Sequence, residues 1–174
     1  MKISAVILSK NEEKNIKDCI ASLAFCNEII VIDDYSNDLT TQIAHKLGAK
    51  VITRSLGGDF AVQRNYGLKK ARYEWVLFID CDERVPENLK KEIARKMKMG
   101  KYDAFTFKRD DYLLGRKMLY GETSRVRLLR MAKKGTGNIG HSAHFWGAIF
   151  GVVFTIGIKP DFFTLFWQQL FGSI

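Results

Sequence analysis

Ile3-Ser4-Ala5-Val6-Ile7-Leu8 is apolar but for one serine, and polar residues bound it on both sides. A run of that length predicts a buried strand rather than a helix. Asn11-Glu12-Glu13 is then expected to open a helix, with Ile16, Ile20 and Leu23 on its apolar face and the two glutamates in its favourable first turn. The alternation repeats. Glu28-Ile29-Ile30-Val31-Ile32 reads as a second strand. Ser36-Asn37-Asp38 offers helix N-caps, and the helix runs to about Leu47, where Gly48 stops it. Lys50-Val51-Ile52-Thr53 predicts a third strand. After Gly57-Gly58, Asp59 begins a helix carrying Phe60, Arg64, Asn65 and Leu68. Trp75-Val76-Leu77-Phe78-Ile79 predicts a fourth strand. Pro86 suits the first turn of a helix with Leu89, Ile93 and Met97 as its buried stripe, ended by Gly100. Two further strands are expected, around residues 103–108 and 125–131. Strands alternating with helices at this spacing predict an α/β fold with right-handed crossovers and a mainly parallel sheet.

The polar residues fall where such a sheet collects ligands. Ser9-Lys10-Asn11-Glu12 follows the first strand, Asp33-Asp34 the second, and Asp80-Cys81-Asp82-Glu83 the fourth. In open α/β sheets the carboxyl ends of the strands form the binding crevice. Alone, Asp-x-Asp also reads as an acidic turn closing a strand. Three acidic strand ends together, with Arg64-Asn65 on an intervening helix, suit a nucleoside diphosphate bridged by a hard divalent cation, Mg2+ or Mn2+.

Composition sharpens this. The 174 residues carry a net charge of +9, with 47% hydrophobic and 27% charged residues, which fits a globular chain. The basic excess is local: residues 84–134 hold 16 Lys and Arg against 6 Asp and Glu, whereas residues 1–83 are close to neutral. Nucleic acid, an anionic membrane and a phosphorylated acceptor would each answer that excess. Nucleic acid ranks last, because no recognition-helix, zinc-finger or RNA-platform pattern is present. For Lys90, Lys91, Arg95, Lys96 and Lys98 a solvated helix face is the simpler reading. Cys19, Cys26 and Cys81 are odd in number and lack metal-ligand spacing, which points to reduced thiols on a cytosolic face. Met1-Lys2-Ile3 leads straight into the first strand, so no secretory leader is expected.

Four segments in order resemble the family 2 glycosyltransferases, whose fold is the GT-A nucleotide-sugar fold. They are Ile3 to Glu13, Val31-Ile32-Asp33-Asp34-Tyr35-Ser36-Asn37-Asp38-Leu39-Thr40, Asp59-Phe60-Ala61-Val62-Gln63-Arg64-Asn65-Tyr66-Gly67-Leu68, and Phe78-Ile79-Asp80-Cys81-Asp82-Glu83. Tyr112-Leu113-Leu114-Gly115-Arg116 and Arg125-Val126-Arg127-Leu128-Leu129-Arg130 are similar to the subgroup with lipopolysaccharide-core glucosyltransferases. The resemblance covers about residues 1–137. It implies inverting transfer from a nucleoside-diphosphate sugar, UDP-linked by expectation, to a surface-polysaccharide or lipopolysaccharide-core acceptor. Asp34 would contact uracil or ribose, and Leu8, Lys10, Asn11 and Glu12 would line the base pocket. Asp59 and Arg64 would support the nucleotide. Asp80 and Asp82 would hold the metal diphosphate, with Asp82 the direct ligand. Transfer to a polyprenyl phosphate and a non-catalytic nucleotide-sugar-binding module are the alternatives.

The chain departs from that family towards its end. Where the subgroup places a carboxylate beside a histidine, Gly137-Asn138-Ile139-Gly140-His141-Ser142-Ala143-His144 offers no Asp or Glu. Glu122 is the nearby earlier carboxylate and the candidate base, with an exposed loop residue as its simpler reading. The acceptor-binding portion is expected to be incomplete. Residues 138–174 form a second, hydrophobic region, apolar over 143–158 and again over 162–171. A membrane contact through residues 143–171, at the inner face of a bacterial cytoplasmic membrane, is expected; a helix completing a soluble core is the alternative. Ala143-His144-Phe145-Trp146-Gly147-Ala148-Ile149-Phe150-Gly151 resembles the last helix of rhomboid proteases. No Gly-x-Ser-Gly partner accompanies it, so His144 reads as inert. The abrupt change near residue 137 points to a composite chain.

Overall fold

The computed structural model describes residues 1–108, 110, 112–113, 116–117 and 127–135. They all belong to the compact unit Met1–Ile139. The expected tail 138–174, with its membrane contact, and Glu122 lie outside the described residues. Among the described residues no helix is long and apolar enough to cross a membrane.

Strand β1 (Ile3–Ser9), helix α1 (Ile16–Ser22), β2 (Glu28–Asp33), α2 (Thr40–Lys46), β3 (Lys50–Thr53), α3 (Phe60–Lys70), β4 (Trp75–Asp80) and α4 (Glu87–Lys98) follow in turn. Then come β5 (Ala104–Lys108), a two-residue hairpin of β6 (Tyr112–Leu113) and β7 (Arg116–Lys117), and β8 (Arg127–Lys133). The main sheet has the order β3-β2-β1-β4-β8-β5. Pairing is parallel from β3 to β4, as expected, and antiparallel where β8 joins β4 and β5.

Period-two alternation divides the buried side chains between two faces. Ile3, Ala5 and Ile7 of β1 and Trp75, Leu77 and Ile79 of β4 pack in one cluster with residues of α1, α2 and α4. Val6, Val76 and Phe78 turn the other way, towards Tyr66 and Leu68 of α3. Both faces being covered explains why these strands read as continuous apolar runs.

Two expectations change in detail. Residues 11–13 do not open a helix, and regular helix begins only at Ile16. Their N–H groups are spent on the loop after β2: Asn11 N donates to Ser36 Oγ at 2.8 Å, Glu12 N to Thr40 Oγ1 at 2.7 Å and Glu13 N to Asp38 Oδ2 at 3.0 Å. Asn11 takes φ 55° to make that turn. Likewise α2 starts after Leu39, and of Ser36, Asn37 and Asp38 only Asp38 serves its first turn, accepting from Thr40 N at 2.9 Å.

Helix α3 approaches the sheet at Gly67, where an added Cβ would lie 2.4 Å from Val6 Cγ1. Val6 is buried and β-branched, so it has little room to turn aside. Gly67→Ala is therefore expected to cost about 1–3 kcal/mol in urea unfolding, outweighing the better helix propensity of alanine. A variant as stable as wild type would show that α3 shifts freely.

Candidate active site at the carboxyl edge

The strand order reverses between β1 and β4, which opens a crevice at their carboxyl ends. Register places Ser9 beside Asp33 and Leu8 beside Asp80. The three acidic strand ends thus come to one edge, as the sequence predicts.

Asp33 is fully buried and organises the loop after β2. Ser9 Oγ donates to its Oδ1 at 2.9 Å, Ser36 Oγ to Oδ1 at 2.5 Å and Ser36 N to Oδ2 at 2.8 Å. Asp34 next to it is tied to the loops after β1 and β3. Lys10 Nζ donates to its Oδ2 at 2.8 Å and Leu56 N to its Oδ1 at 2.9 Å. These bonds hold the Asp34 carboxyl below the usual carboxylate range, Lys10 contributing most.

Of the residues expected to line the base pocket, Lys10 meets Asp34 and half-buried Leu8 is the last residue but one of β1. Asn11 and Glu12 serve the loops instead. Asn11 Oδ1 accepts from Asn37 N at 2.8 Å and Glu12 Oε2 from Asn15 Nδ2 at 2.8 Å. Asp59 caps α3: its Oδ1 accepts from Ala61 N at 2.9 Å and Val62 N at 3.0 Å. That cap fixes the start of the helix carrying Arg64.

Arg64 Nη2 donates to Asp80 Oδ1 at 2.9 Å. Arg130, from β8, donates through Nη2 to Asp80 Oδ2 at 2.7 Å and to Glu83 Oε1 at 2.5 Å. Burial opposes the charged form of Asp80, but the two guanidiniums overcome it and hold the carboxyl below its usual range. Burial raises Glu83, with Asp80 and Asp82 adding to the effect against the opposing pull of the Asp80 N–H and Arg130. Glu83 also closes the turn, since its Oε2 accepts from Asp80 N at 3.0 Å while its N–H donates to Asp80 O at 2.9 Å. Arg84 ties the turn to the start of α1, donating to Cys81 O at 2.9 Å and Asn15 O at 3.0 Å.

Asp82 differs from its neighbours. It is exposed and no hydrogen bond or ion pair with another described residue engages its carboxylate. Among the described residues no group of three or more His, Cys, Asp or Glu forms a metal cage. The donor set fits a hard cation that arrives with a diphosphate, because such an ion needs only one or two protein carboxylates beside phosphate oxygens and water.

A cavity of about 540 Å³ opens beside Asp82. Its apolar floor comes from Leu77, Ile79, Val85, Leu89, Ile93, Phe107 and Leu128, and Arg84, Lys108, Asp110 and Arg130 stand among its polar lining. The sequence places Asp33 and Glu83 in the acidic strand ends without assigning either a role, and it does not mark Arg84 and Arg130 as site residues. Arg130 lies in a segment whose basic character is visible, but nothing local marks it as the partner of a residue 50 positions earlier. The three cysteines are free thiols, and burial pushes that of Cys26 up to about 12.

Residues 4–153 match the family model described as Glycosyl transferase family 2, a span that runs past residue 137. An uncharacterized glycosyltransferase of Rickettsia typhi is 41% identical over 93 residues, 53% of this chain and 32% of that protein. The poly(ribitol-phosphate) beta-N-acetylglucosaminyltransferase TarS of Staphylococcus aureus is 36% identical over 106 residues, 54% of this chain and 18% of TarS. The crystal structure of TarS residues 1–349 in complex with UDP superposes with a TM-score of 0.54 at 32% identity, covering 60% of this chain and 34% of that one. The same TarS fragment in complex with UDP-GlcNAc gives 0.51 at 31% identity, covering 60% and 33%. The Rickettsia match thus spans about a third of the length of that relative.

Proposed function

The chain belongs to glycosyl transferase family 2, and on that premise we propose that its carboxyl-edge crevice binds a UDP-sugar and transfers the sugar to an acceptor hydroxyl. One observation carries the reading. Asp34, Asp80 and Asp82 converge from the ends of two strands that flank β1, with Lys10 and Arg64 beside them. That TarS is crystallised with UDP and with UDP-GlcNAc supports a uridine donor.

In this reading Asp34 accepts hydrogen bonds from the uridine, its orientation set by Lys10 and Leu56 N. Asp82 would hold Mg2+ or Mn2+, the hard cation that a diphosphate brings. The ion supplies charge neutralisation as the diphosphate leaves. Asp80 stays ionised between two arginines and keeps the turn in place. The acceptor enters through the cavity beside Asp82, whose apolar floor and mixed charged lining, Arg84, Lys108 and Arg130 with Asp82, Glu83 and Asp110, suit an amphipathic acceptor. A lipopolysaccharide-core or surface-polysaccharide acceptor, inversion at the anomeric carbon and a place at the inner face of the cytoplasmic membrane complete the proposal. The sequence similarity of residues 112–116 and 125–130 and the basic surplus of residues 84–134 support them.

Calorimetric titration with UDP and with UDP-GlcNAc, in Mn2+ and in EDTA, tests the donor site. Binding is expected in Mn2+ and is expected to weaken roughly a hundredfold or more in EDTA. A folded protein that binds neither ligand in either condition would refute the donor site.

A further inference from the structure

Strand β8 breaks its alternation at one place. Leu129 is exposed, whereas Arg130 and Met131 are both buried. Register against β5 gives the cause. Phe105 pairs with Met131, but the next residue, Thr106, pairs with Leu129, so Arg130 is an extra residue on β8. A bulge of this kind bends the strand and re-aims one side chain. Here the bulged residue is the arginine, and its guanidinium reaches Asp80 and Glu83 at 2.7 and 2.5 Å. Arg64 arrives at the same carboxylate from α3, which packs on the opposite face from α4. Asp80 is thus held from both faces of the sheet, one oxygen to each arginine.

We propose that the β8 bulge makes Arg130 a positioning residue of the donor site, fixing Asp80 and the turn that carries Asp82 from the acceptor-side strands. The proposal rests on the UDP-sugar reading of the crevice. Its logic is electrostatic. Asp80, Asp82 and Glu83 put three carboxylates within four residues, and like charges so close spread apart unless cations hold them. Without Arg130, Asp80 Oδ2 and Glu83 Oε1 both lose their cation. Asp80 is then free to swing towards an incoming metal ion and compete with Asp82 for it. With Arg130 in place, Asp80 is committed to the arginines and Asp82 alone faces the diphosphate. The same guanidinium lines the cavity on the acceptor side, so one residue spans both halves of the crevice.

The test is calorimetric titration of the full 174-residue chain with UDP in saturating Mn2+, comparing wild type, Arg130→Met, Arg130→Lys, Asp80→Asn and Asp80→Asn/Arg130→Met. Arg130→Met is expected to weaken binding at least tenfold, and Arg130→Lys to recover to within threefold of wild type. If Arg130 acts through Asp80, the double variant binds within twofold of Asp80→Asn, because coupled residues are not additive. Binding by Arg130→Met within twofold of wild type would overturn the proposal. So would equal losses in the Met and Lys variants, or a double variant weakened by the product of the single effects. If Arg130→Met shows no cooperative unfolding transition, Arg130→Gln replaces it under the same criteria. Wild type that fails to bind UDP would overturn the donor-site reading and this proposal with it. Wild-type binding with an indifferent Arg130→Met would overturn this proposal alone.

Discussion

Asp82→Ala is expected to weaken Mn2+-dependent UDP binding roughly a hundredfold or more, about 2.7 kcal/mol at 25 °C. The carboxylate is exposed and has no hydrogen-bond or ion-pair partner among the described residues. The urea midpoint should therefore stay at the wild-type value. In EDTA the variant and the wild type should bind UDP alike, because the lost affinity is the part that the ion mediates. Asp82→Asn keeps the shape but loses the charge, and should resemble Ala in Mn2+. Titration of both variants in Mn2+ and EDTA reads this directly. Wild-type affinity in Asp82→Ala would refute the proposed role of Asp82 as metal ligand.

The second large effect concerns stability rather than binding. Asp33→Ala is expected to destabilise the domain by about 2–4 kcal/mol in urea unfolding. The Asp33 carboxylate is fully buried and accepts from Ser9 Oγ, Ser36 Oγ and Ser36 N. Alanine would strand those donors, and unsatisfied buried groups cost more than the net gain of the bonds they lose. The loss would reach the site, because Ser36 Oγ also accepts from Asn11 N and so joins the loops after β1 and β2. Asp33→Asn retains an acceptor oxygen but turns an NH2 towards donors, so an intermediate loss is expected. A variant within 0.5 kcal/mol of wild type would mean that water or a neighbour takes over the bonds.

Much of the fold was legible because its signals are local. The runs ending at Leu8, Ile32 and Ile79 are continuous apolar strands because both sheet faces are covered. Asp59 marks the start of α3 in the sequence, and in the structure it caps that helix. The start of α1 was misread, because Asn11-Glu12-Glu13 looks like a helix opening by composition. Those residues instead donate to Ser36, Asp38 and Thr40, about 25 positions away, and that competition delays the helix to Ile16. The β6–β7 hairpin was not foreseen, since two-residue strands leave no periodic trace.

The sequence by itself determined which residues end each strand, and so which carboxylates stand at the carboxyl edge. Spacing and polarity along the chain are enough for that, because each strand buries its own apolar run. Tertiary structure alone decided which of them meet. The order β3-β2-β1-β4 brings Lys10 to Asp34 and places Asp80 across from Leu8. The antiparallel return of β8, with one extra residue, carries Arg130 to Asp80. Pairing partners and a bulge depend on contacts between distant segments, and no local pattern of hydrophobic and polar positions encodes them.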